Sequence, residues 1–293
     1  MDDAYKNITA TINTKSLIHN IQLLREMAGT EIMPALKNNA YGHGIIPISK
    51  ICRKIGVKYL GVATLGEAIY LRENKDKGRI CAWIINPYGS EIDKAILYNI
   101  DIAIIDVKHI DIILNRIPDG KWLNVHLFVD TGLHRLGIPY RKSVKSAIRI
   151  NNNTKFKLVG LMSHLCCNSN KLESNKQLRL FDKLIFKLKR LNITPELTHI
   201  GSTHTILNGA VSKYSLNRSG GGIYGYSKHT SNLIPIMNIK SKLLTIKKIY
   251  KGDGVGYNHT YIAPKNMLIG IIPIGFSDLF LIHKDDCYLI FVA

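Results

Sequence analysis

The feature that most constrains this chain is an alternation repeated eight times. Short apolar runs recur at 32–36, 59–64, 80–85, 100–106, 123–130, 157–164, 197–202 and 215–223. Between them lie helix-length stretches, in several of which apolar residues return every three or four positions, as one buried helix face requires. The first such stretch opens with the start signal Asn-Thr-Lys-Ser at 13–16 and presents Leu17, Ile21 and Leu24 on one side. The strongest carries Phe181, Leu184, Ile185, Leu188 and Leu191 as a stripe, with Lys183, Lys187, Lys189 and Arg190 largely facing water. Strands alternating with helices of this length are parallel strands joined by right-handed crossovers. Eight such units in roughly 220 residues predict an α/β fold of the TIM (β/α)8 barrel type.

Past Tyr226 the texture changes. Residues 234–246 partly alternate apolar and polar positions, Gly-Asp-Gly-Val-Gly at 252–256 is a turn cluster, and 267–274 is β-rich. The expected organisation is a barrel domain at 1–226 and an all-β domain at 227–293, with an initial strand at 7–12 that can join either. The closing apolar run, 288–293, reads as a strand cut short, so the β domain is expected to be incomplete and the activity of the chain impaired.

With 293 residues, 46% of them hydrophobic, the chain can bury one large core and part of a second. No run of about 18 uncharged apolar residues points to a membrane span. The N-terminus lacks a signal-peptide layout. Five cysteines without framework spacing predict reduced thiols and a cytoplasmic protein. Cys166 and Cys167, next to each other and just past His164, make a poor chelate for one metal ion, so no metal site is expected. Forty basic residues against 21 acidic ones give a net charge of +19. The lysines are scattered along most segments, and no nucleic-acid motif accompanies them, so no nucleic-acid partner is inferred. A basic balance does attract anionic small molecules.

Chemistry gathers at strand ends. Lys37 follows the run 32–36 and precedes a tight polar turn with two glycines, where α/β barrels place their active sites. A lysine there is either a solvated loop residue or, if desolvated, a nucleophilic amine. Arg135, just past the fifth run, is suited either to holding a carboxylate in a fork or to a surface ion pair. His164 ends the sixth run, where a packed structural histidine is the ordinary reading. Arg218 is followed by Gly220, Gly221 and Gly222, and the loops after strands seven and eight are the usual phosphate site of the barrel. Tyr257 alone would be an ordinary half-buried aromatic.

The strings around these residues resemble alanine racemase motifs. Lys-Asn-Asn-Ala-Tyr-Gly-His-Gly at 37–44 is similar to the cofactor-lysine motif Lys-Ala-Asp/Asn-Ala-Tyr-Gly-His-Gly. Asp-Thr-Gly-Leu-His-Arg-Leu-Gly-Ile at 130–138 and Arg-Ser-Gly-Gly-Gly-Ile-Tyr-Gly at 218–225 resemble two more family strings. So do Tyr-Asn-His-Thr-Tyr-Ile-Ala at 257–263 and Ile-Pro-Ile-Gly-Phe-Ser-Asp at 272–278, and more loosely His-Ile-Gly-Ser-Thr-His at 199–204. The resemblance implies a pyridoxal 5'-phosphate enzyme that interconverts L- and D-alanine and supplies D-alanine for peptidoglycan. It implies that Lys37 carries the cofactor, that Tyr41, Thr203, Gly220 and Gly221 lie at its phosphate, and that His164 packs on its ring. Arg218 would bond the ring nitrogen, Arg135 would orient substrate and cofactor, and Tyr257 would be the second base. Tyr257 would reach the barrel of the other subunit in a homodimer with shared active sites. Two alternatives stay open: a racemase for another amino acid such as serine, and a degenerate or truncated chain that binds cofactor without turnover. One position departs from the family pattern. Where many members carry a carbamylated lysine seven residues before the arginine, this chain has Phe128.

Overall fold

A computed structural model describes residues 8–166, 171–209, 213–226, 232–273 and 290–292. It divides into two compact units, one of them Asn13–Ile236 and the other joining Met1–Ile12 to Met237–Ala293. Cys167, the 274–278 part of the last motif, and residues 7, 288, 289 and 293 of the expected end strands lie outside the described residues.

The chain opens with β1 (Ile8–Ile12), which belongs to the second unit. The barrel unit then begins with α1 (Thr14–Ala28). The Asn13 side chain accepts from the Ser16 N–H at 3.1 Å to start this helix, and Gly29, in the left-handed region at φ +61°, ends it. Leu17, Ile21 and Leu24 are fully buried, each contributing about 1.5–3 kcal/mol by leaving water. The strands that follow are β2 (Glu31–Pro34), β3 (Tyr59–Val62), β4 (Arg79–Ala82), β5 (Asp101–Ile104) and β6 (Leu123–Asp130). After the two-residue β7 (Ile138–Pro139) come β8 (Phe156–Met162), β9 (Leu197–His199) and β10 (Leu216–Ser219).

Parallel pairing runs β3-β4-β5-β6-β8-β9, and β10 pairs in parallel with β2. Two links close the ring. Ala35, just past β2, bridges to Gly61 of β3, and the Arg218 N–H donates to Gly201 O just past β9. All eight strands therefore end at one mouth, where residues just past them converge. The predicted strands agree in number and order with this barrel, but several end earlier. The run 215–223 is strand only to Ser219, because Gly221–Tyr224 coils into a 3-10 turn. The run 197–202 stops at His199, and a short helix follows at Thr203–Leu207. The 171–190 helix buries Phe181, Leu184 and Leu188 but ends at Arg190, so Leu191 falls beyond the stripe and is exposed.

The second unit is all-β. In it β11 (Met237–Ser241) pairs antiparallel with β1, from Ile8 opposite Ser241 to Ile12 opposite Met237. A three-stranded antiparallel sheet joins β12 (Thr245–Ile249), β15 (Met267–Ile271) and β16 (Ile290–Val292). Between them β13 (Gly254–Val255) and β14 (Tyr261–Ile262) pair across a short turn that carries Tyr257. Among the described residues no helix is long and apolar enough to cross a membrane.

Candidate active site

Lys37 follows β2 at the barrel mouth, and the turn after it is unusual. Asn38, Asn39, Ala40 and Tyr41 all have φ between +51° and +56°, one turn of left-handed helix built without glycine. Asparagine tolerates this conformation, but Ala40 and Tyr41 are strained in it. Surrounding hydrogen bonds hold the turn. The Ala40 N–H donates to Leu36 O at 2.8 Å, and the Asn38 N–H donates to Glu67 Oε1 at 2.6 Å. Asn39 Oδ1 accepts from the Ile45 N–H at 2.8 Å. The buried His43 sits 2.9 Å from Ala40 O through Nδ1 and stacks on Tyr224 at 4.6 Å. Tyr224 is itself buried and donates to Ala35 O at 2.9 Å, two residues before the lysine. The consequence is that Tyr41 folds back beside Lys37, whose Nζ lies 5.5 Å from the Tyr41 ring centroid.

Opposite stands a cradle of small groups. Thr203 Oγ1 and Ser219 Oγ are 2.9 Å apart, and the Gly222 N–H donates to Thr203 Oγ1 at 3.2 Å. At Gly220 a Cβ would lie 2.3 Å from Tyr41 Oη, so glycine there is what lets the phenol come in. Hydroxyls, glycine backbone and a phenol at one barrel mouth suit an anionic head group, as the loops after strands seven and eight commonly do.

Arg218, on β10, is 7% exposed. Its Nη1 contacts His199 Nδ1 at 2.6 Å and His199 O at 3.0 Å, while Nη2 donates to Ser163 O and reaches His164 Nδ1 at 3.2 Å. Burial pushes the guanidinium down to about 10. Burial, with the cations of Arg218, Arg135 and Lys37, pushes the His164 imidazole down to about 3, so it is neutral near pH 7. A neutral His164 accepts from Arg218 and leaves its ring face for stacking.

One cavity of about 850 Å³ gathers Lys37, Tyr41, Arg135, His164, Thr203, Arg218, Gly220 and Gly221. These are eight of the nine residues singled out from sequence; the ninth, Tyr257, belongs to the β unit and is 95% exposed. Arg135 is exposed and, among the described residues, makes no hydrogen bond or ion pair. Phe128, 5% exposed, packs with Met162, Ala103 and Leu136 and supplies no charge to hold it. Trp83, Met162 and Ser219 were not singled out from sequence. The first two line the cavity and look like ordinary core positions in a linear reading, and Ser219 is a lone hydroxyl beside Arg218.

Comparison with known proteins matches this arrangement. Residues 12–228 fit the alanine racemase N-terminal domain and residues 236–284 the alanine racemase C-terminal domain. The alanine racemase of Thermodesulfovibrio yellowstonii is 34% identical over 277 residues, covering 92% of this chain and 74% of that protein. That of Borreliella burgdorferi is 32% identical over 300 residues, covering 96% and 80%. The alanine racemase from D-cycloserine producing Streptomyces lavendulae superimposes with a TM-score of 0.86 at 27% identity, over 93% of this chain and 75% of that one. A histidine racemase from Leuconostoc mesenteroides superimposes with 0.82 at 25% identity, over 94% and 77%. With both domain types matched in order over most of its length, the chain belongs to the alanine racemase family.

Proposed function

We propose that this chain interconverts L- and D-alanine with pyridoxal 5'-phosphate, in the cytoplasm, and supplies D-alanine for peptidoglycan. The observation that carries the reading is the convergence of a lysine, a buried arginine and a hydroxyl-and-glycine cradle on one cavity. The cradle of Tyr41, Thr203, Gly220 and Gly221 would hold the phosphate, Lys37 would bind the cofactor covalently, and His164 would lie against its ring. Arg218 would face the ring nitrogen. When bound, the cofactor acidifies the α-proton of an attached amino acid by drawing electrons into its ring. Arginine keeps its own proton, so it hydrogen-bonds the ring nitrogen without protonating it. That leaves a partial electron sink, which suits proton exchange better than transamination.

Lys37 Nζ would move a proton on one face of the substrate, and Tyr257 Oη, from the other subunit of a homodimer, would move one on the opposite face. Arg135 would hold the substrate carboxylate. Trp83, Phe128, Leu136 and Met162 make one cavity wall apolar, which suits a methyl side chain. A second reading is a racemase for another amino acid, favoured by the likeness to a histidine racemase of the same fold. Chiral chromatography after incubation with each L-amino acid separates the two; alanine turning over fastest is expected. Borohydride reduction of the loaded protein, followed by peptide mapping, should place the pyridoxyl group on Lys37. A label on another lysine, or none, contradicts the cofactor assignment.

A further inference from the structure

A polar line crosses the barrel interior behind the cavity, and the proposed chemistry does not use it. From Arg218 on β10 it passes to His199 on β9 at 2.6 Å, to His126 on β6 at 2.8 Å, and to Asp101 on β5 at 3.3 Å. Arg79 on β4 donates to the same Asp101 Oδ2 at 2.7 Å. TIM-barrel interiors are filled mainly by bulky branched apolar side chains. Here His199 and His126 are fully buried and Asp101 is 2% exposed.

The strands are shaped for this line. The pairing of β6 with β8 shifts register between Val125 and His126: Val125 faces Leu158 and His126 faces Gly160, so the unpaired extra residue is Val159 on β8. Gly160 on β8 provides the space, since a Cβ there would lie 2.0 Å from His126 Nδ1.

Donor and acceptor chemistry sets the protons. Arginine has only donors, so His199 Nδ1 accepts from Arg218. His199 then carries its proton on Nε2 and donates to His126 Nδ1. His126 in turn carries its proton on Nε2 and donates to Asp101 Oδ2. In this proton order both imidazoles are neutral. Burial opposes a charge on His126, but Cys81 and Asp101 outweigh it and, taken without the proton order, raise its pKa to about 9; the proton order argues the other way. A second proton would sit on His126 Nδ1 and meet the His199 Nε2–H. Moving that proton to His199 Nδ1 would only set it against the Arg218 donors. The line as a whole therefore excludes a charged His126.

Arg218 is a buried cation whose partners among the described residues are two imidazoles and two backbone carbonyls, none of them a carboxylate. Such a charge is costly unless compensated. We infer that Asp101 is the remote counter-ion of Arg218, its charge relayed through His126 and His199 with a fixed proton order. Asp101 and His126 are thus positioning residues for the group that faces the ring nitrogen. The inference rests on the cofactor reading, but its first test does not.

That test is the ring-nitrogen NMR of histidine-labelled protein without cofactor, assigned with His126→Asn and His199→Asn variants. Both residues should appear as neutral Nε2–H tautomers from pH 6 to 8, and in Asp101→Asn the His199 shifts should move although the two residues do not touch. A doubly protonated His126 at pH 7 overturns the relay whether or not the cofactor reading stands. In the holoenzyme, Asp101→Asn should lower kcat about tenfold and shift the bound-cofactor absorbance while KM for alanine stays within about twofold. An unchanged kcat and spectrum would reduce the line to a structural feature. If Asp101→Asn does not fold, His126→Asn leaves the Asp101–Arg79 pair intact and gives the same comparison.

Discussion

Strand β5 of the barrel unit buries all four of its residues, whereas β12 of the β unit exposes four of its five. The contrast extends to tyrosines. Tyr224 is fully buried, bonded to Ala35 O, and its hydroxyl is pushed well above the ordinary value by burial. Tyr257 is almost wholly exposed. The β unit also exposes Leu243, Leu244, Ile246, Tyr250 and Leu268. A buried group acquires its chemistry from its neighbours. Every candidate group of the barrel unit except Arg135 has a local partner or contact. Tyr257 has none among the described residues, so its proposed role needs a surface supplied from elsewhere. A second copy of the chain is the occupant the family likeness suggests.

This contrast can be broken in order of effect. Lys37→Ala should lower racemisation by about 10⁴-fold or more, because it removes both the covalent anchor and one base. Retention of more than a few per cent of the rate would move the chemistry away from the barrel mouth. Gly220→Ala should be gentler. Its methyl displaces the Tyr41 hydroxyl, and a lost hydrogen bond to a charged phosphate is worth about 1.5–3 kcal/mol, or about 10- to 100-fold in cofactor affinity. Fluorescence titration of the cofactor measures it; unaltered affinity would detach Tyr41 from the phosphate.

Acid should destabilise the barrel unit through its histidines. His164 is held at about 3 and the fully buried His199 well below its ordinary value, so the folded form refuses protons that the unfolded form accepts. Stability is then fully present above about pH 6.5 and declines as pH falls toward the folded values, by at most about 1.4 kcal/mol per pH unit per histidine. His164 borders the cavity and is only half-buried, so solvent screening reduces its share and His199 carries more. Urea midpoints at pH 5 and 8 test this; equal midpoints would mean these histidines charge in the folded state. The smallest expected effect is a null. With Phe128 buried among apolar neighbours, bicarbonate should leave activity unchanged, and a bicarbonate-dependent rate would contradict the reading of that position.

Much of the site was legible because its residues fall in short contiguous strings at strand ends, and the barrel brings all strand ends to one place. Lys37, Tyr41 and Arg218 are of this kind. The left-handed turn at 38–41 was not legible beyond being a turn, since Ala40 and Tyr41 carry no local preference for positive φ. His126 was hidden more deeply. Its partner His199 is 73 residues away, and the register shift on β8 that sets Gly160 opposite His126 has no local sequence mark. The strand ends were also overread at 215–223, where glycines close a turn just after the strand.

The central claim is that a barrel from one subunit and Tyr257 from another complete a single site. Co-expression of a Lys37→Ala chain with a Tyr257→Phe chain, each nearly inactive alone, tests it most directly. A heterodimer would hold one doubly defective site and one intact site, so it should recover about half of the native rate. No recovery, with heterodimers confirmed by mass, would put Tyr257 in its own subunit's site or outside the reaction.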